Sequence, residues 1–103
     1  MFVHENWADK LLPKLGELAA RRSLDDLTAG PVLSWTNDQI RTHIEAVLAV
    51  DGTELLFGGK PLTGHSIPEC FGAYEPTAIR VPLTAMQAGD FDLLAKELFG
   101  PFQ

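Results

Sequence analysis

The chain has 103 residues, 46% of them hydrophobic, and sets 14 acidic against 8 basic side chains for a formal charge of -6 at neutral pH. A chain of this length buries roughly 65% of its unfolded surface as one domain, and with no Lys/Arg cluster beyond Arg21-Arg22 a phosphate-tracking surface is excluded, so no nucleic acid partner is expected. One cysteine cannot staple the fold, no basic and apolar leader opens the chain, and no apolar run approaches the roughly 20 residues of a bilayer span; an intracellular, cytoplasmic protein without membrane contact is expected.

Residues 1–4, Met-Phe-Val-His, read as the end of a strand. In the stretch ADKLLPKLGELAARR, Leu11, Leu15 and Leu18 recur at helical spacing with Leu12 and Ala19 beside them, which predicts an amphipathic helix. With Asp9 as N-cap, Pro13 becomes the fourth helical residue and is expected to be tolerated in the first turn. Arg21 and Arg22 then fall in the last turn, favourably against the helix dipole.

Gly30-Pro31 breaks the chain before a second helix, TNDQIRTHIEAVLAVDG, in which Thr36 and Gln39 form a capping box ahead of Ile40, Ile44, Val47 and Leu48 on one face. Asp51-Gly52 ends it, and the short glycine-bounded run ELLFGG predicts a strand. Lys60 to Thr77, with Pro61, Pro68 and Pro76, predicts a long ordered loop. TAIRVPL predicts a strand ending near Val81 ahead of Pro82, and DFDLLAKELFG a short helix from Phe91 to Leu98. The expected order of strand, helix, helix, strand, loop, strand and short helix is an α/β arrangement. Three short strands make a poor sheet by themselves, because their edges stay unpaired.

Several residues invite a chemical reading. Cys70 and His65, in GHSIPECFG, suit a thiol nucleophile with an imidazole base, but nothing in their spacing requires contact, and a lone loop cysteine is more often a small apolar filler. His4, His43 and His65 fall on different elements without a paired metal-ligand spacing, so no metal site is expected. LFGGK resembles a phosphate loop until its partners are checked: Glu54 stands where the first glycine is needed and Pro61 where Ser or Thr is needed. Gly58-Gly59 is better read as a strand-ending turn with positive φ. Asp25-Asp26 and Asp90 with Asp92 lack the apolar setting that drives two carboxyl pKa values apart. Glu97, beside an aromatic at a helix end, can hold a vicinal diol while the aromatic stacks on a planar ring; it can equally be a surface glutamate next to a core phenylalanine.

Read together, AGPVLS, LLFGGKPL, GAYEPTAIRVPL and KELFGPF resemble, in order and spacing, signatures of the aldehyde dehydrogenase superfamily. The fuller strings HENW, LFGGKPLTGHSIPECFGAYEPTA and ELFGPFQ are most similar to the branch that oxidises glutamate γ-semialdehyde in proline catabolism, the 1-pyrroline-5-carboxylate dehydrogenases. The resemblance implies an α/β catalytic-domain sheet with two main helices and a short C-terminal helix, and NAD as cofactor. It implies that Glu97 binds the hydroxyls of the nicotinamide ribose and that Phe99 packs near the nicotinamide. In that family a cysteine thiolate attacks the aldehyde, hydride passes to the nicotinamide, and the thioester is hydrolysed.

The family's nucleophile lies in a G-Q-x-C stretch upstream of the MFVH segment, and Cys70 does not match it, so no catalytic residue is expected here. The apolar close, KELFGPFQ, reads as an internal cut. Residues 1–103 are thus expected to be a partial catalytic domain, inactive alone, whose partners are the rest of such a chain or a homo-oligomer. The alternatives are a stand-alone acidic binding module and a small Cys-His hydrolase.

Overall fold

The computed structural model describes residues 1–25 and 27–96. Among them the order of elements is α1 (Glu5–Ala19), α2 (Asn37–Leu48), β1 (Glu54–Phe57), β2 (Ala78–Arg80), α3 (Leu83–Gln87) and α4 (Phe91–Leu94). Helices and a small sheet agree with the expected α/β class, although two strands are present where three were expected.

The missing strand is the one expected at residues 1–4. His4 has extended backbone but acts as the N-cap of α1, its ring Nδ1 accepting the Asn6 N–H at 3.2 Å. The helix therefore starts at Glu5, not after Asp9, and Pro13 lies in its interior. Pro13 deprives the Asp9 carbonyl of its usual donor. Both residues are exposed, so water can take the freed carbonyl and the helix runs through. Arg21 and Arg22 lie beyond the C-cap, Ala20, and not in the last turn.

The predicted apolar face of α1 is only half covered. Ala8, Leu11, Leu12, Leu15 and Ala19 are half-buried, Leu18 is 42% exposed, and no residue of the helix is buried. A β-carbon at Gly16 would stand 3.5 Å from the Phe57 ring, an ordinary contact that marks where α1 rests on β1.

α2 starts as its sequence predicts, but Leu48, expected on its packed face, is 37% exposed where the helix ends. Gln39 N–H donates to Thr36 Oγ1 at 3.3 Å and the Thr36 N–H donates to Gln39 Oε1 at 2.9 Å, closing both arms of the capping box. Ile40, Ile44 and Val47 are buried with His43. Val32, Ile40, Ile44 and Tyr74 make the core cluster, with Trp35 and Ile79 packed against it.

β1 and β2 pair antiparallel, Glu54 opposite Arg80 and Leu55 opposite Ile79, with a bulge at Leu56 before Phe57 meets Ala78. The Arg80 and Glu54 side chains face each other at 3.7 Å. The Lys60–Thr77 loop is ordered by backbone pairing: Val32 bridges Gly72 and Pro61 bridges Tyr74, and the Leu62 N–H donates to the Ala73 carbonyl at 2.8 Å. Helix α3, capped by Pro82, was not foreseen, because five residues are too few to show a helical period. Helix α4 begins at the expected Phe91 and ends at Leu94, capped by Ala95; the expected end, Leu98, lies outside the described residues.

The surface measures 7285 Å², against about 5,700 Å² for a compact monomer of this mass. The Cα radius of gyration is 14.1 Å, where about 13 Å is usual. Uncovered α1 and the two free sheet edges account for the direction of both differences.

Candidate functional site

The two glycines after β1 and the Pro76-Thr77 pair before β2 form one interlocked turn. Gly58 and Gly59 both have positive φ, 75° and 83°. A β-carbon at Gly58 would collide with the Pro76 carbonyl oxygen and stand 2.7 Å from Thr77 Oγ1. That hydroxyl is 2% exposed, accepts the Gly59 N–H at 2.9 Å and donates to the Glu75 carbonyl at 2.7 Å. The space a phosphate would need at the first glycine is filled by the protein's own backbone, so the strand-ending turn is observed and a phosphate cradle is not.

A second arrangement surrounds the start of α2. Trp35, directly before the Thr36 cap, meets the His43 ring edge-on at 5.6 Å and 87°. Lys96 Nζ lies 4.9 Å from the centre of the Trp35 ring. With Asp38, Thr42 and Leu93 these residues line an open groove of about 470 Å³ between α2 and the end of α4. Burial pushes the His43 imidazole below its ordinary pKa, and the Lys96 charge lowers it further. Asp38 is engaged by Arg41 at 2.9 Å. Sequence reasoning had not singled out this groove. Its available signal was the aromatic one residue before the cap with Ile40 at the fourth helical position, the pattern of a hydrophobic staple.

This helix start is held rigidly. The Asn37 side-chain oxygen accepts the Ala73 N–H at 2.7 Å. Gly72 approaches so closely that a β-carbon there would stand 2.5 Å from Ile40 Cδ1 and 2.7 Å from the Trp35 carbonyl oxygen.

The Cys-His nucleophile finds no support. His65 Nδ1 accepts the Ile67 N–H at 3.1 Å, which leaves Nε2 as the protonated nitrogen, donating to the Leu62 carbonyl at 3.0 Å. Both ring nitrogens are thus committed to local backbone. Cys70 is exposed, which corrects the expectation of an apolar filler: the tight packing of this loop begins at Gly72, beyond the thiol. Among the described residues no group of His, Cys, Asp or Glu is arranged to hold a metal ion, and His4 is a helix cap while His43 is buried. Asp90 is the N-cap of α4 and Asp92 lies in its first turn, while Asp26 is outside the described residues. Glu97 and Phe99, the expected cofactor contacts, also lie outside the described residues, immediately beyond Lys96.

No protein-family model matches the chain. Over its whole length it is 51% identical to a delta-1-pyrroline-5-carboxylate dehydrogenase of Arabidopsis thaliana, named as mitochondrial. It is 50% identical, again throughout, to a probable aldehyde dehydrogenase of Linum usitatissimum. The chain spans 19% of the length of each of these relatives. No helix among the described residues is long and apolar enough to cross a membrane.

Proposed function

The chain belongs to the aldehyde dehydrogenase family, and on that premise we propose that residues 1–103 form part of the catalytic domain of an NAD-dependent dehydrogenase that oxidises glutamate γ-semialdehyde to glutamate. The observation carrying this is the 51% identity, from end to end, to a relative named for that branch. In this reading Glu97 holds the ribose hydroxyls and Phe99 packs near the nicotinamide, while the nucleophilic cysteine belongs to another part of the protein.

The support that the described residues offer is an open groove beside Lys96, with Trp35, Thr42 and His43 in its wall. They do not supply a pyrophosphate cradle, because the Gly58-Gly59 turn is filled by Pro76 and Thr77. NAD supplies the hydride acceptor when bound; the part of this chain is to orient it.

Surface exposure favours the partial domain over a stand-alone module. A helix without one buried residue, a two-stranded sheet and about 1,600 Å² of surface beyond a compact monomer's share call for cover, by the rest of a longer chain or by a second copy. For compartment, the expected cytoplasm stands beside a relative named as mitochondrial. Imaging of a full-length fluorescent fusion separates the two.

The test uses the full-length protein and the 103-residue chain side by side. Glu97→Gln in the full-length protein should weaken NAD binding about tenfold or more with the aldehyde KM little changed, and the short chain should form no NADH from glutamate γ-semialdehyde. Unaltered NAD affinity in that variant, or turnover by the short chain alone, would overturn the assignment.

A further inference from the structure

We propose that Asp51 is a site of spontaneous covalent modification, in which the Gly52 backbone nitrogen closes on the Asp51 carboxyl to a cyclic imide that reopens as isoaspartate. Asp51-Gly52 is the one place in the chain where an aspartate precedes a glycine. Having no β-carbon, glycine leaves its own nitrogen unshielded. Both residues are exposed, at the joint between α2 and β1. The Thr53 N–H donates to the Val50 carbonyl at 3.2 Å, and φ is 80° at Gly52 but not positive at Asp51, the pattern of a type II turn with these two residues at its tip.

Nothing else engages the two reacting groups. Among the described residues neither the Asp51 carboxylate nor the Gly52 N–H has a hydrogen-bond partner, whereas Asp38 is held by Arg41 at 2.9 Å. Thr53 fixes the base of the turn instead, its hydroxyl lying 2.8 Å from the Val50 carbonyl and 3.1 Å from that of Val47. Nucleophile and carboxyl belong to adjacent residues, so ring closure asks only for side-chain rotation and a turn about the Asp51 Cα–C bond. In the neutral carboxyl the Cγ–OH bond breaks as the Cγ–N bond forms, and the hydroxyl leaves with the Gly52 amide hydrogen as water, with no oxidation or reduction. Water then adds to the imide. At Cγ it restores aspartate; at the main-chain carbonyl it breaks the original peptide bond and leaves the chain running through Cβ and Cγ. The product has the same mass and one more atom in its backbone. A β-carbon at Gly52 would stand 3.0 Å from Pro82 Cγ, and Pro82 is the N-cap of α3, so the lengthened link bears on α3 as well as on the joint between α2 and β1.

The experiment incubates the folded full-length protein in heavy-oxygen water and maps its peptides over time by chromatography and mass spectrometry. The peptide holding Asp51 should split into two forms of different retention, the new one isoaspartate by its fragment ions and carrying one heavy oxygen. Peptides holding Asp9, Asp38 or Asp92 should not split, because Lys10, Gln39 and Leu93 follow those residues. Asp51→Glu, whose carboxyl would have to close a larger ring, should lose the product, and Asp51→Asn should convert faster, releasing ammonia in place of water. Asp51 is exposed and has no bond to lose, so both variants keep the fold. An intact Asp51 peptide in the folded protein while the same peptide, once cut free, converts would overturn the proposal. Equal product in Asp51→Glu, or product without the heavy oxygen, would overturn it too.

Discussion

The Gly59 amide donates to the buried Thr77 hydroxyl at 2.9 Å, and that one bond ties the turn after β1 to the residue just before β2. Thr77→Val keeps the shape but strands the Gly59 amide and the Glu75 carbonyl, at a cost of about 1–3 kcal/mol, whereas Thr77→Ser should lose far less. Gly58→Ala should be worse than either, since a side chain there meets both a strained φ and the Pro76 carbonyl. Urea midpoints of the three variants check the order.

Gly72 and Gly30 separate close approach from turn chemistry. Gly72→Ala drives a methyl onto Ile40 and the Trp35 carbonyl and should cost about 1–3 kcal/mol, while Gly30→Ala meets nothing within 4 Å and should stay within about 0.5 kcal/mol of the parent. Equal effects in thermal melts would show that the Val32–Gly72 bridge does not hold α2 to the loop.

His43 makes stability depend on pH. Burial, then the Lys96 charge, hold its folded pKa below the ordinary 6.5, so the folded ring binds a proton less readily than the unfolded one. Stability should be complete above about pH 6.5 and fall as pH drops toward the folded value, with a slope of at most about 1.4 kcal/mol per pH unit for one proton. His43→Gln should flatten that part of the curve; an unchanged slope would assign the effect to other groups.

Cys70 should react fully with a disulfide reagent in the native protein, because it is exposed. His65→Gln should leave the rate within about twofold, since the imidazole is occupied by the Ile67 amide and Leu62 carbonyl. A tenfold fall would restore the paired nucleophile.

The uncovered face of α1 should make the isolated chain associate. Sedimentation of the 103-residue protein should show oligomers that grow with concentration, and Leu11→Glu with Leu15→Glu should suppress them. A strictly monomeric parent would show that the half-covered stripe needs no partner.

How much was legible depended on where the determining contacts lie. Thr36 and Gln39 bond to each other within one turn, and the apolar period of α2 repeats for three turns, so its start and buried face could be read directly. For α1, the same kind of period located the helix but not its first residue, because His4 is a less usual cap and an exposed Pro13 is tolerated where a buried one would not be. The glycine turn was read correctly, yet its fit to Pro76 and Thr77, eighteen residues away at the Gly59–Thr77 bond, has no local signature.

The sequence by itself determined the mixture of helix and strand, the capped second helix, the positions of the two strands and the likeness to aldehyde dehydrogenases, all of which depend on neighbouring residues or on motifs in fixed order. Only the tertiary structure decided that His65 is spent on backbone, that Cys70 faces solvent and that Trp35, His43 and Lys96 meet in one groove. The exposure of Cys70 and the meeting in the groove turn on which surfaces the folded chain removes from water, set by segments far apart along the chain, whereas the His65 bonds reach only Leu62 and Ile67 and turn on the conformation of the loop.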